Sequence, residues 1–236
     1  MLSDREALSR ASHELRTPLQ AILGFGQLLA LDPLNESQRH SVEQIIAGGR
    51  HLLTLIEDLL DLSRAGELSS DSVEVGEEIA HAVALCRPLA AERSLTVHLD
   101  LSEEPLHALA DRRRFKQVLL NLISNAIKYN RPGGSLTVRA SAEDHDVRIE
   151  VTDTGRGMSR AELGRLFVPF ERLDAARRRI EGNGLGLAVS KTLAEAMDGA
   201  IDVDSAPGEG SVFTLRLPAL DQCPGRWKMS SVPLVA

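Results

Sequence analysis

Aromatic side chains are scarce in this chain: five Phe, one Tyr and one Trp serve 236 residues. A core for that length must therefore be mostly aliphatic, which suits helices seamed with Leu and Ile. Cysteine is nearly absent. Cys86 and Cys223 form neither a disulfide framework nor a metal-ligand spacing, as in a reducing compartment. Positive charge is not in excess, and the net charge of −7 argues against nucleic acid as a general partner. No apolar run reaches the roughly 18–20 residues that span a bilayer, so no transmembrane segment is expected. The N-terminus also lacks a signal-peptide pattern. The expectation is a cytoplasmic protein with one or two cores, or the soluble piece of something larger.

What is present begins with helical heptads. Leu8, Ser12, Leu15, Leu19, Ile22, Gly26 and Leu29 recur at steps of three and four, a stripe made to pack on other helices. His13 lies at the edge of that stripe, followed by Glu14, with Thr17 one turn later on the same face. Pro18 removes the amide that would bond the Glu14 carbonyl, which predicts a bend or loosening beside the histidine. An edge imidazole, an adjacent carboxylate and a local kink make a candidate site for chemistry on His13. Taken alone, a helical His is more simply a surface or cap residue.

Residues 31–38, LDPLNESQ, read as the turn of a helical hairpin. A second seam follows through Val42, Ile45, Gly49, Leu52, Ile56, Leu59 and Ser63. Two helices cannot bury so much apolar surface alone, so the hairpin is expected to pair with a second copy in a four-helix bundle. Packing against the rest of the same chain is the alternative.

The polar stretch 64–72 reads as a linker. Beyond it, strands are expected at 73–75, 95–101, 136–142, 147–152, 201–205 and 211–217, and helices at 77–91, 111–128 and 184–197. That mixture predicts an α+β, two-layer domain.

Three stretches suit phosphate chemistry. Asn121, Asn125 and Lys128 share one helix face, where amide oxygens can ligate Mg²⁺ and amide or ammonium donors can hold phosphate. A plain solvated face is the other reading. At DTGRGM a strand ends in Asp153, with Gly155 and Gly157 allowing a sharp turn around a carboxylate that could accept from an adenine amine. By itself DxGxG is often only a turn. In GNGLGL, Gly182, Gly184 and Gly186 leave amides open at a helix N-terminus, a phosphate site in its own right. It is neither a P-loop nor GxGxxG after a strand. Between the two glycine motifs, residues 160–180 are a candidate nucleotide lid, or else an ordinary helix and charged loop.

In this order the motifs resemble the sensor histidine kinases of two-component signalling: SHELRTPL around His13, NLISNAIKYN, DTGRGM, LFVPFERL, GNGLGL and a closing GEGSVFTLRLP. The resemblance covers residues 3–218. It implies a hairpin of residues 1–67 for dimerisation and histidine phosphotransfer. A Bergerat-type α/β sandwich that binds ATP would follow at 72–220, as in Hsp90, MutL and type II topoisomerase ATPases, and then a tail, 221–236, of no assigned role. His13 would be the phosphoacceptor, Glu14 the carboxylate polarising its ring, and Thr17 the position for dephosphorylating a partner regulator. Asn125 and Asn121 would ligate Mg²⁺, and Lys128 and Tyr129 would contact phosphates and nucleotide. Asp153 would read the adenine amine in a turn shaped by Gly155 and Gly157. Gly182, Gly184, Leu185 and Gly186 would form the lid hinge and phosphate contacts, with Phe170 from LFVPFERL also against the nucleotide.

The implied partners are a second copy, a response regulator receiver domain, and a sensor domain or upstream partner outside this chain. His13 lies only twelve residues from Met1. Two departures, Asn130 where Ser or Thr is common and Asn183 between the glycines, imply modest tuning. Other readings are an ATPase of the same superfamily without phosphohistidine, against which SHELRTPL argues, a core acting mainly as a phosphatase, and a non-enzymatic scaffold, which would need a broken motif.

Overall fold

The computed structural model describes residues 2–64, 69–102, 104–169, 171 and 184–220, with side chains left out for some of the helical residues. The hairpin consists of α1 (Leu2–Leu29), which runs through Pro18, and α2 (Glu36–Arg64). α2 starts where it does because Asn35 and Gln38 cap it reciprocally. The Gln38 amide donates to Asn35 Oδ1 at 2.9 Å and the Asn35 amide to Gln38 Oε1 at 3.1 Å.

The apolar seam divides in two. Leu19, Leu23 and Gly26 of α1 are buried, as are Val42 and Gly49 of α2. The helices approach so closely that a Cβ on Gly49 would stand 2.7 Å from Leu23 Cδ2. Leu15, Ile22, Leu29, Ile45 and Leu52, on the same predicted seams, stay about half exposed. One hairpin covers only part of so wide a stripe.

The second unit runs β1 (Asp71–Glu74), α3 (Val75–Glu92), β2 (Thr96–Asp100), β3 (His107–Ala110), α4 (Arg112–Lys128), β4 (Ser135–Glu143) and β5 (Asp146–Asp153). It continues through α5 (Arg160–Leu163), α6 (Gly186–Ala196), β6 (Ala200–Ala206) and β7 (Gly210–Pro218). The main sheet has the order β2-β4-β5-β7-β6, and β1 and β3 form a separate antiparallel pair. β2 and β4 are parallel, which requires a crossover; the chain makes it through α4. All other neighbours are antiparallel.

α3, α4 and α6 cover one sheet face. Phe115, Leu119, Leu122, Ile123 and Ile127 of α4 are fully buried with Leu136, Ile149, Leu215 and Leu217 of the strands. The opposite face carries charge, such as Arg148, which bonds Glu150 at 2.8 Å. This is the expected α/β sandwich. α2 also contacts α6. β3 was not foreseen, and α5 opens the stretch read as a lid or as a helix with a charged loop: each is only four residues long and too short to show a period. α5 owes its start to a capping box in which Ser159 and Glu162 each satisfy the other's amide.

Candidate functional site

Three sequence-separated segments converge at the α4 end of the sandwich. Asp111 starts α4 by accepting the Arg114 amide at 3.0 Å. One face of the helix then supplies the core, and Asn121 and Asn125 stand half-buried on the other. Asn121 Nδ2 donates to Ser190 Oγ of α6 at 2.7 Å, and Asn125 Nδ2 reaches Asn121 Oδ1 at 3.4 Å. Gly186, first residue of α6, faces the same amide: a Cβ there would be 2.5 Å from Asn121 Oδ1. The glycine is thus required by close approach to α4. Gly184 adds a left-handed φ of 71° just before. The Leu185 side chain is fully buried in the core, so only its backbone is placed near the glycines.

The carboxylate of Asp153 ends β5 and is 5% exposed. Burial raises its pKa above the ordinary carboxylate value, opposed by hydrogen bonds from the Gly155 amide and from Ser211. The Gly155 amide donates to Asp153 Oδ1 at 2.7 Å, closing the turn. A Cβ on Gly155 would lie 2.5 Å from the Tyr129 carbonyl, so this turn rests on the C-terminal end of α4. Gly157, at φ 63°, passes so near β6 that a Cβ would overlap the Ala206 carbonyl at 1.8 Å. Lys128 sits in the last turn of α4 and Tyr129 caps it.

Asn130 does more than the small adjustment expected of it. It is buried, its Nδ2 donates to the Ser135 carbonyl at 2.9 Å, and its Oδ1 accepts the Arg131 amide at 3.0 Å and Thr154 Oγ1 at 3.3 Å. It therefore ties α4 to the turn after β5. Ser190, Ser205 and Ser211 also escaped sequence reading, because a lone serine in a helix or strand carries no spacing signal. The alignment of strands would have found the last two.

The hairpin carries the remaining residues apart from this cluster. His13 and Glu14 lie on the backbone of α1, and Thr17, one turn on, is exposed. Phe170 and Gly182 fall outside the described residues, as do residues 172–180 of the proposed lid. Its described beginning holds α5, where Arg156 Nη1 bonds Glu162 Oε1 at 2.7 Å. Further on, Lys191 of α6 stands 5.1 Å from the Phe167 ring centroid.

Two family models match this chain. The His Kinase A (phospho-acceptor) domain matches residues 3–68, and the histidine kinase-, DNA gyrase B- and HSP90-like ATPase matches residues 110–221. The chain belongs to the sensor histidine kinases. The chain is 37% identical over 231 residues to the cell-division control histidine kinase PdhS of Brucella anthropi, a match covering 90% of this chain and 22% of that protein. It is 40% identical over 226 residues to the non-motile and phage-resistance protein of Caulobacter vibrioides, covering 90% and 27%. The chain thus spans about a quarter of the length of these relatives. Full-length ShkA, crystallised with AMPPNP, superposes with a TM-score of 0.79 at 36% identity over 91% of this chain and 46% of that one. The histidine kinase AdeS of Acinetobacter baumannii gives 0.63 at 27% identity over 88% and 98%.

Proposed function

We propose that this chain is an ATP-dependent, autophosphorylating protein histidine kinase that passes the phosphoryl group from His13 to an aspartate of a response regulator. The observation that carries this reading is the convergence of Asn121, Asn125 and Gly186, with the turn of the buried Asp153 resting on the C-terminal end of the same α4, on a chain that also carries a histidine on a helical hairpin. In this reading residues 1–67 are the phosphotransfer hairpin, 72–220 the catalytic domain and 221–236 a tail.

The donor set suits a hard cation. With Asn125 Nδ2 turned to Asn121, the Asn125 carbonyl oxygen is left for metal, and carboxamide oxygens favour Mg²⁺. When bound, Mg²⁺ would neutralise phosphate charge. Lys128, Tyr129 and the amides around Gly182, Gly184, Leu185 and Gly186 would hold ATP phosphates, with Phe170 against the nucleotide. Asp153 would accept from the adenine amine. Phosphoryl transfer needs alignment and charge neutralisation more than covalent help.

Glu14 would accept the Nδ1 proton of His13, leaving Nε2 nucleophilic. Nε2 bonds the γ-phosphorus as the bridging P–O bond breaks and ADP departs; the phosphoryl group then moves to the regulator's carboxylate. Thr17 would serve the reverse task, dephosphorylating that regulator. The half-exposed Leu15, Ile22, Leu29, Ile45 and Leu52 support a homodimer through the hairpin. Sedimentation as a dimer upholds that part and a monomer contradicts it. No helix among the described residues is long and apolar enough to cross a membrane, and a cytoplasmic location with a sensor or upstream partner outside this chain completes the reading. The test of the chemistry is Glu14→Gln. Autophosphorylation should fall while ATP binding is unchanged, and an unchanged rate would remove Glu14 from the mechanism.

A further inference from the structure

The strand register places three polar side chains in one row across the sheet. Asp153 of β5 pairs with Ser211 of β7, and Ser211 pairs with Ser205 of β6. Directly opposed residues share a face, so a carboxylate and two hydroxyls stand side by side where the next row on that face presents Val151, Phe213 and Val203. Ser211 is buried at 8% exposure and hydrogen-bonds Asp153 through its amide and hydroxyl. Ser205 Oγ is 3.0 Å from Ser211 Oγ, accepts the Met158 amide at 2.9 Å, and lies 2.7 Å from the Gly210 carbonyl.

One hydroxyl thereby touches three structures that shape the carboxylate's surroundings: the DTGRGM turn at Met158, the β6–β7 hairpin at Gly210, and Ser211. The backbone there has no slack. A Cβ on Gly210 would stand 1.9 Å from the Asp153 carbonyl, and one on Gly157 would stand 1.8 Å from that of Ala206. Ser205 has one proton for two acceptors, the Gly210 carbonyl at 2.7 Å and Ser211 Oγ at 3.0 Å. An ionised Asp153 draws the Ser211 proton. Ser205 then fills the link to Ser211 only by turning its own proton from Gly210, and the chain from Met158 N–H to the carboxylate is polarised along its length. The row ends on the carboxylate read as the adenine contact, so the serines' influence falls on the base end of a nucleotide.

We propose that Ser205 is a positioning residue for base recognition, holding the Asp153 carboxylate in the orientation that accepts an exocyclic amine. The inference rests on the reading of Asp153 as the group that contacts adenine. Ser205 touches no ligand itself; it acts through Ser211 and the Met158 turn.

The experiment compares two nucleotides on the full chain with Mg²⁺. One is the β,γ-imido analogue of ATP, and the other is the matching purine riboside triphosphate analogue, which lacks the exocyclic amine. Titration calorimetry on the native chain should favour the adenine form. Ser205→Ala should weaken the adenine analogue about tenfold, the worth of one hydrogen bond, and the amine-free analogue by no more than about twofold. Ser205→Thr, which keeps the hydroxyl on a strand position, should restore the preference. Should the alanine variant not fold, Ser205→Cys retains the volume but offers only a weak S–H donor, and the same selective loss is expected. Equal losses for both analogues, or no loss for either, would overturn the inference and leave Asp153 in place. A native chain that binds both analogues equally would overturn the reading of Asp153 and this inference with it.

Discussion

Replacing Gly186 by alanine sets two physical effects against each other. In an ordinary helix the change gains up to about 1 kcal/mol, because glycine loses more backbone entropy on folding. Here the new Cβ would sit 2.5 Å from Asn121 Oδ1 and 3.1 Å from both Asn121 Cγ and Nδ2. Asn121 cannot retreat cheaply, since its Nδ2 is held by Ser190 at 2.7 Å and its Oδ1 by Asn125 at 3.4 Å. Moving it breaks hydrogen bonds worth about 1 kcal/mol each and strands the Ser190 hydroxyl, 2% exposed, at a cost of about 1–3 kcal/mol. The helix gain offsets part of this, leaving a net destabilisation of about 2–4 kcal/mol. The larger effect falls on the site, because the amide row loses its alignment. Mg²⁺-dependent ATP affinity should drop by about 10–100-fold, or about 1.4–2.8 kcal/mol. Chemical denaturation gives the first quantity, and nucleotide titration with and without Mg²⁺ gives the second. Gly48→Ala is the control: nothing lies within 4 Å of a Cβ there, so it should stabilise the chain by about 1 kcal/mol and leave binding unchanged. A Gly186→Ala chain that is more stable and binds Mg²⁺ and ATP normally would refute the reasoning.

Asp153→Asn keeps the shape and removes the charge, so ATP affinity should fall about tenfold or more, as for a lost charge-assisted hydrogen bond. Burial raises the Asp153 pKa, so the folded state holds that proton more tightly than the unfolded chain does. Ionisation therefore costs stability at neutral pH, and the Asn variant should be the more stable there; its advantage should fade as pH falls through the raised value toward about 4. Thermal melts across that range check it, and a less stable variant at pH 7 would contradict it. Glu162 has the opposite sign. The Ser159 amide, aided by Arg156 and the Ser159 hydroxyl, lowers its carboxyl to about 2. Its stabilisation is complete above the unfolded value near 4.3 and is lost as pH falls from there through about 2. Glu162→Gln should cost about 1 kcal/mol at pH 7 and nothing at the acid end. A penalty independent of pH would remove the charge from the account.

The site motifs were legible because each is a run of residue types whose chemistry and local geometry coincide. Asp153 closes a strand and bonds the amide two residues on, a contact that DTG announces by itself. The helices of the sandwich were legible from period, and the hairpin turn from Asn, Pro and Ser. Contacts between distant segments were not. Gly186 is glycine because Asn121 lies against it, and Gly157 because Ala206 does; both reasons belong to tertiary packing. Spacing gave the α1 and α2 seams as single stripes, yet Leu19 is buried while Leu15 and Ile22 are exposed, since which half is covered depends on the partner helix. The role of Asn130 was underestimated because its partners, Ser135 and Thr154, come from two strands that meet only in the fold.

The central claim is that His13 receives phosphate from ATP, and the most direct measurement is incubation with γ-labelled ATP and Mg²⁺ of the native chain and of His13→Gln. The account predicts an acid-labile, alkali-stable label on the native chain and none on the variant. Label that survives acid, label retained by His13→Gln, or no label on a native chain that binds ATP would contradict it.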